Sequence, residues 1–243
     1  MPSLTAAAVN PSDSPLRHRS ADCSAAQKSL LHAALWLIAI ALAFALDRPL
    51  ALWLRDTGIA HAVKSAGILK DVVKFPGYFW CPLCIVIALL IWHPQHWRPA
   101  AFLSLCAIVA GTNSIIKWLV GRFRPFTLPP YDLPQPFHLL PFNGGIAGLF
   151  HQASGLSFVS GHTALAFATA AGMATLFPKS RAIVYLVYTV AAIVFIERVG
   201  ENAHWLSDAV CAAALGVWGV ALLARICTGY LLPGPIYQTR PNG

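Results

Sequence analysis

Charged side chains are scarce in this sequence. Asp, Glu, Lys and Arg make up 11% of its 243 residues and 57% are hydrophobic, whereas soluble domains carry about a quarter charged residues. That scarcity excludes an ordinary water-soluble globule and points to one membrane-embedded domain, with nothing to suggest a second. Acidic groups are scarcer than basic ones, nine against 17, for a formal net charge of +8. No acidic cluster suited to magnesium is visible, so no metal or other cofactor is expected. The bases are scattered in ones and twos, without a basic helix, zinc module or aromatic RNA-binding motif, which argues against nucleic acid as a partner. They are better placed to face lipid headgroups or an anionic substrate. Of the six cysteines, Cys81 and Cys84 form a C-x-x-C. Pro82 lies between them inside an apolar run, and no further zinc ligands stand near by. Packing is the simpler reading, and Cys23, Cys106, Cys211 and Cys227 have no identifiable partner.

What is abundant is apolar sequence. Six uncharged stretches, 29–46, 75–92, 99–116, 162–177, 182–196 and 209–224, come close to the roughly 20 apolar residues that a bilayer core requires. Unpaired backbone groups are not tolerated in lipid, so these segments must be helical, and the alternation of a membrane barrel is absent. An all-α, six-span transmembrane bundle follows, over residues 29–230. Residues 1–28 are polar and read as a disordered cytoplasmic tail, with 231–243 as a C-terminal tail. The first span reads as an uncleaved anchor rather than a signal peptide. Residues 59–74 set Ile59, Val63, Leu69, Val72 and Val73 against Lys64, Lys70, Asp71 and Lys74, the pattern of an interfacial amphipathic helix. Trp53, Trp80, Trp92 and Trp97 fall near span ends, as an aromatic belt requires. With the N-terminus inside, the basic residues divide eight inside to nine outside, which gives no orientation by the positive-inside rule.

Polar residues intrude at three helix ends. Lys117 and Arg124 are seven apart, two helical turns, so both can face one way before Pro125 stops the element. Two cations snorkelling at a membrane boundary would look the same. Ser160, Gly161 and His162 open the fourth span, where free N–H groups and the helix dipole suit a phosphate; Ser160 could equally be a plain N-cap. Arg198, His204 and Asp208 join spans five and six. His204 and Asp208 are four apart and can share a helix face, so that the carboxylate fixes the imidazole tautomer. A structural His–Asp pair would have the same spacing. Topology brings all three clusters to one membrane face, and together they hold the inventory for phosphoryl transfer by positioning and electrostatics.

These residues resemble the signature of the type 2 phosphatidic acid phosphatases, K-x6-R-P, P-S-G-H and S-R-x5-H-x3-D. The chain has Lys117 to Arg124-Pro125, then Val159-Ser160-Gly161-His162, then Glu197-Arg198 with His204 and Asp208 at the same spacing. Val159 replaces a proline and Glu197 a serine; the negative charge of Glu197 could pair with Arg198 or alter headgroup choice. The resemblance implies that His204 attacks phosphorus and carries a phosphohistidine, that Asp208 orients it, and that His162 protonates the leaving oxygen and then activates water. Lys117, Arg124, Ser160, Gly161 and Arg198 would hold the phosphate, without a metal. It also implies six helices with the pocket at the outer leaflet of a bacterial inner membrane. Soluble vanadium haloperoxidases share the motifs, but the six apolar spans argue against that class.

The segments 157–161 and 204–208 look similar to parts of bacterial lipid A phosphatases within this family, as does 142–145 in a long Pro- and Gly-rich loop expected to cover the pocket. Arg122 reads as a spare cation for a second phosphate or a sugar. Lipid A is therefore the preferred substrate. Undecaprenyl pyrophosphate, phosphatidylglycerophosphate and phosphatidic acid are alternatives, as are transfer to a second lipid and a non-catalytic role in binding or flipping phospholipid. Nothing in the sequence bears on oligomeric state.

Overall fold

A computed structural model describes residues 15–92, 97–127, 142 and 156–232. Among these residues the chain is helical, with isolated bridges but no strands. In order it forms α1 (Pro15–Asp56), α2 (Ile59–Lys64), α3 (Ile68–Lys74), a 3-10 turn (Phe75–Gly77), α4 (Trp80–Trp92), α5 (Trp97–Gly111), α6 (Asn113–Val120), a second 3-10 turn (Pro125–Thr127), α7 (Gly161–Leu176), α8 (Arg181–Gly200) and α9 (Leu206–Cys227). Two compact units divide the chain, Met1–Ala39 and Ile40–Gly243. The first holds the N-terminal part of α1, which is already helical from Pro15, inside the stretch expected to be a tail. The helices after α1 all belong to the second.

Among the described residues, four segments are long and apolar enough to cross a membrane: Leu30–Asp56, Trp97–Val120, Arg181–Gly200 and Leu206–Cys227. The pair Ile68–Gly77 and Trp80–Ile91, bent by 60°, makes a fifth if it is one span. This is a multi-pass membrane protein, and its packing reads accordingly. Large apolar side chains such as Leu42, Leu186, Ile196, Leu222 and Ile226 point outward. Small ones fill the interior, among them Ala164, Ala168, Ala171 and Ala212. Helices gain nothing from hiding leucine from lipid, so close backbone approach through small residues does the packing.

The remaining expected span corresponds to α7. At 16 residues it is about 24 Å long. It is also the inner helix, packed against α5, α8 and α9, with Thr163, Ala164, Ala166, Ala168, Ala170 and Ala171 buried. The segment expected as one interfacial helix over 59–74 is two short helices, α2 and α3, parted by a break at 65–67.

Candidate active site

The cation-bearing segment leaves its helix earlier than the motif spacing suggests. Lys117 sits buried in the last turn of α6. That helix stops at Gly121, whose φ of 65° is the left-handed cap favoured by glycine. Beyond it the chain runs extended. Phe123 bridges Leu156 in antiparallel sense, and the Ser157 N–H donates to the Arg122 carbonyl at 2.7 Å. Arg124 Nε donates to the Leu156 carbonyl at 3.3 Å, while Arg55 of α1 donates to the Pro125 carbonyl at 3.2 Å. Lys117 and Arg124 therefore do not share a helix face. Tertiary pairing brings Arg124 to the site, and the helix ends at Gly121 rather than at Pro125.

Ser160 occupies the N-cap of α7, but its side chain does not cap the helix. Its Oγ instead accepts from Thr163 Oγ1 at 3.0 Å, and its N–H donates to the Asp208 carbonyl at 3.2 Å. The Gly161 N–H, at the first helical position, has no acceptor within its own helix. His162 follows and leans on the first 3-10 turn. A Cβ on Gly77 would stand 2.7 Å from His162 Cβ, and Tyr78 meets the imidazole edge-on at 4.8 Å between centroids. His162 Nε2 is shielded from solvent and has no hydrogen-bond partner among the described residues. It lies in the field of Arg198, His204, Lys117 and Lys74.

His204 and Asp208 do not share a helix face either. Trp205 is the N-cap of α9, so His204 precedes the helix and Asp208 is its third residue. The two side chains stand 3.8 Å apart, Nδ1 to Oδ2. The partner of Nδ1 is the Ser157 carbonyl, at 2.9 Å. Nδ1 therefore carries the proton and donates, leaving the lone pair on Nε2. Asp208 is held at the centre of a buried network. It accepts from Arg122 Nη1 at 2.6 Å, from the Trp205 N–H at 2.9 Å and from the Ser157 hydroxyl. Arg122 is thus no spare cation. It is 1% exposed and spans Asp208 and Asp47, with Nη2 2.7 Å from Asp47 Oδ2. A guanidinium that bridges two buried carboxylates is not available to a second phosphate.

Arg198 is also engaged. Glu197 accepts from its Nε at 2.7 Å and from Nη2 at 3.0 Å, so the pairing suggested by the Glu197 departure is present. Glu201 takes Nη2 as well. Lys74 reaches both carboxylates, at 3.6 Å and 3.2 Å, and Lys70 reaches Glu201 at 3.8 Å. Arg198 must exchange these partners to meet an anion.

Burial depresses the His204 pKa to about 4; Asp208 acts in the opposite direction, and the cations Lys117 and Arg124 push it lower. Burial also lowers Arg124, aided by Arg198 and opposed by Asp208. Lys117, Arg124, Arg198, His162 and His204 are thus electrostatic neighbours of one another or of Asp208. A neutral imidazole beside three cations and a helix N-terminus is an arrangement that can meet a phosphoryl group. Among the described residues, no three His, Cys, Asp or Glu side chains are grouped to hold a metal ion.

Residues 98–230 match the family model of the PAP2 superfamily, more than half of the 243-residue chain. The chain belongs to the PAP2 superfamily. It is 44% identical over 86 residues to a lipid A 1-phosphatase of Porphyromonas gingivalis, covering 30% of this chain and 18% of that relative. It is 30% identical over 146 residues to lipid A 1-phosphatases of Rhizobium etli and Rhizobium johnstonii, covering 59% of this chain and 55% and 52% of theirs. The chain thus spans about half the length or less of these curated relatives.

Several site residues of this PAP2 member were not legible in its motifs. Asp47 is one, although an ionisable residue directly after an apolar run is itself a signal. Ser157 and Ser207 lie in the two segments, 157–161 and 204–208, that resemble lipid A phosphatases, but spacing gave them no role of their own. Lys74 could have been sought from Glu197 and Glu201, whose like charges at i,i+4 are relieved by a cation. Within the expected pocket loop, Phe142 is described and packs edge-on against Trp118 at 5.0 Å. Residues 143–145, together with 128–141 and 146–155 of that loop, lie outside the described residues.

Proposed function

We propose that this chain is an integral membrane phosphatase that removes phosphate from a lipid on the outer leaflet, through a phosphohistidine on His204. The observation that carries the reading is the His204 ring. It is 2% exposed, fixed through Nδ1 to the Ser157 carbonyl and flanked by Lys117 and Arg124. Its Nε2 lone pair attacks phosphorus while the phosphorus–oxygen bond to the lipid breaks. His162, protonated once the negative charge of the phosphate offsets the cations around it, gives its proton to the leaving oxygen, then takes one from water as that water attacks phosphorus. The phosphorus–nitrogen bond breaks, and neutral His204 and inorganic phosphate are released. Lys117, Arg124, Arg198, Ser160 and the Gly161 N–H hold the phosphoryl oxygens. Asp208 keeps Ser157 and His204 in place. In this mechanism fixed cations take the role that a metal ion has elsewhere.

The six-span arrangement belongs to the same reading, with α7 crossing inside the bundle and α2 and α3 at the interface. So does a bacterial inner membrane location with the site facing the periplasm. The three relatives named as lipid A 1-phosphatases favour lipid A as substrate, cleaved at its 1-phosphate. The other phospholipid and prenyl phosphates, and transfer to a second lipid, are outcomes of the test. Purified full chain in detergent is incubated with lipid A, undecaprenyl pyrophosphate and phosphatidic acid in parallel. Free phosphate and lipid products are followed by mass spectrometry. Loss of one phosphate from lipid A, faster than from the others, is expected. Release from another lipid alone would overturn the substrate, and phosphate appearing on a second lipid would replace hydrolysis by transfer.

A further inference from the structure

Three ionisable side chains are buried together behind His204. Asp47 in α1 and Arg122 are each 1% exposed, and Asp208 is fully buried. Arg122 donates one nitrogen to Asp208 at 2.6 Å and the other to Asp47 at 2.7 Å. Ser207 ties the group together. Its N–H and Oγ donate to Asp47 at 2.8 and 2.6 Å, and its Oγ accepts from Arg122 at 2.7 Å. Phe44 and Trp205 close the faces of the guanidinium, with ring centroids 5.6 and 4.9 Å from Cζ. Burying two carboxylates and a cation inside a membrane protein is expensive, and apolar side chains would pack there at lower cost. The network ends at the reacting ring. Asp208 holds the Ser157 hydroxyl, and the Ser157 carbonyl holds His204 Nδ1.

We infer that Asp47 and Arg122 are positioning residues for His204. Arg122 fixes both the place and the net charge of the Asp208–Ser157 support, and Asp47 keeps Arg122 from collapsing onto Asp208. The inference rests on His204 being the nucleophile. The triad carries two negative charges and one positive, a net of −1, directly behind an imidazole that becomes cationic on phosphorylation. Groups facing that imidazole more closely are Asp208 from α9, Lys117 from α6, Arg124 from the extended segment and His162 from α7.

The test is the pH dependence of phosphoenzyme formation, measured on the full chain in detergent with an activated aryl phosphate. Arg122→Gln makes the triad more negative, so protonation of His204 becomes easier and the acid limb moves to higher pH. Asp47→Asn makes the triad neutral, so the limb moves to lower pH. Each shift should be at least about one unit, the effect expected of one charge lost within about 12 Å at an effective dielectric of about 20. The double variant restores the net charge and returns the limb towards its starting position. Arg122→Lys keeps the charge but cannot grip two carboxylates, so kcat falls by about 10- to 100-fold with the limb unmoved. KM should stay within about threefold throughout, because none of these groups touches the phosphate.

An acid limb that stays put in Arg122→Gln and Asp47→Asn would reduce the network to a structural ion pair and overturn the inference. Should a charge variant fail to fold, Ser207→Ala removes a single hydroxyl and is expected to lower kcat about tenfold at unchanged KM; an unchanged kcat there overturns it as well. His204→Ala separates the underlying reading. If that variant still accumulates phosphoenzyme, the nucleophile has been misassigned, whatever the acid limbs do.

Discussion

The Ser157 carbonyl, not a carboxylate, is the group within hydrogen-bonding distance of His204 Nδ1, at 2.9 Å. Asp208 acts on the ring from 3.8 Å and through Ser157. The His204 ring, held near pKa 4 by burial, should be neutral and reactive across the whole physiological range. Single-turnover phosphorylation of the protein should therefore lose half its rate near pH 4, not near the ordinary histidine value of about 6.5. The same shift fixes a stability trend. Between about pH 6.5 and 4 the unfolded chain binds a proton at this position that the folded chain does not. His204 should therefore make the protein less stable as pH falls through that window. His204→Asn should flatten that part of the unfolding profile in detergent.

The two histidines should separate cleanly. His162→Ala removes the proton donor and the water activator but leaves His204 intact. A nitrophenolate leaves without protonation, whereas a lipid alkoxide does not. The variant should therefore be phosphorylated by a nitrophenyl phosphate and then stall. The trapped species should be acid-labile, base-stable and located on the peptide containing His204. Label on Ser160 would mean that the roles are wrongly assigned.

Glu201 competes with any anion for Arg198 and Lys74. Glu201→Gln removes one negative charge from the cluster and should tighten inhibition by vanadate about tenfold. The comparison is a vanadate titration of both proteins at one ionic strength. An unchanged inhibition constant would place the anion away from Arg198.

Chelation distinguishes fixed cations from a bound metal. Turnover of the lipid substrate should survive EDTA, and vanadate should inhibit as a mimic of the pentacoordinate phosphorus. Activity lost in chelator and restored by magnesium would require a metal step.

Gly77 tests the support of His162 from outside the motifs. An added methyl would lie 2.7 Å from His162 Cβ and 2.9 Å from its carbonyl. Gly77→Ala should cost about 1–3 kcal/mol of stability, read from unfolding in detergent. It should also lower lipid turnover more than aryl phosphorylation, because His162 is the group displaced.

The candidate residues of this site were legible in the sequence and their geometry was not, for identifiable reasons. Lys117, Arg124, Ser160, His162, Arg198, His204 and Asp208 stand out because each is a polar residue at the edge of an apolar run. Counting helical turns then misplaced two pairs. Gly121 ends α6 before Arg124, and Trp205 begins α9 after His204, and spacing alone does not reveal a cap. Arg122 looked unengaged because its partners, Asp47 and Asp208, lie 75 and 86 positions away. The helical class and the membrane setting followed from composition. The span count did not follow, because a short helix enclosed by its neighbours, α7, and a bent pair, α3 with α4, have the same apolar composition as a straight crossing.

The stretch shared with the superfamily begins at residue 98, yet Asp47, Arg55, Lys74 and Gly77 touch the site from before that point. The family-matched segment is therefore not a portable module. Excised or grafted without the preceding helices, it would keep Arg122 with only one of its two carboxylates, Glu197 and Glu201 without Lys74, and His162 without the turn on which it leans. Any recombination that exchanges this candidate site between relatives has to carry the chain from α1 onward.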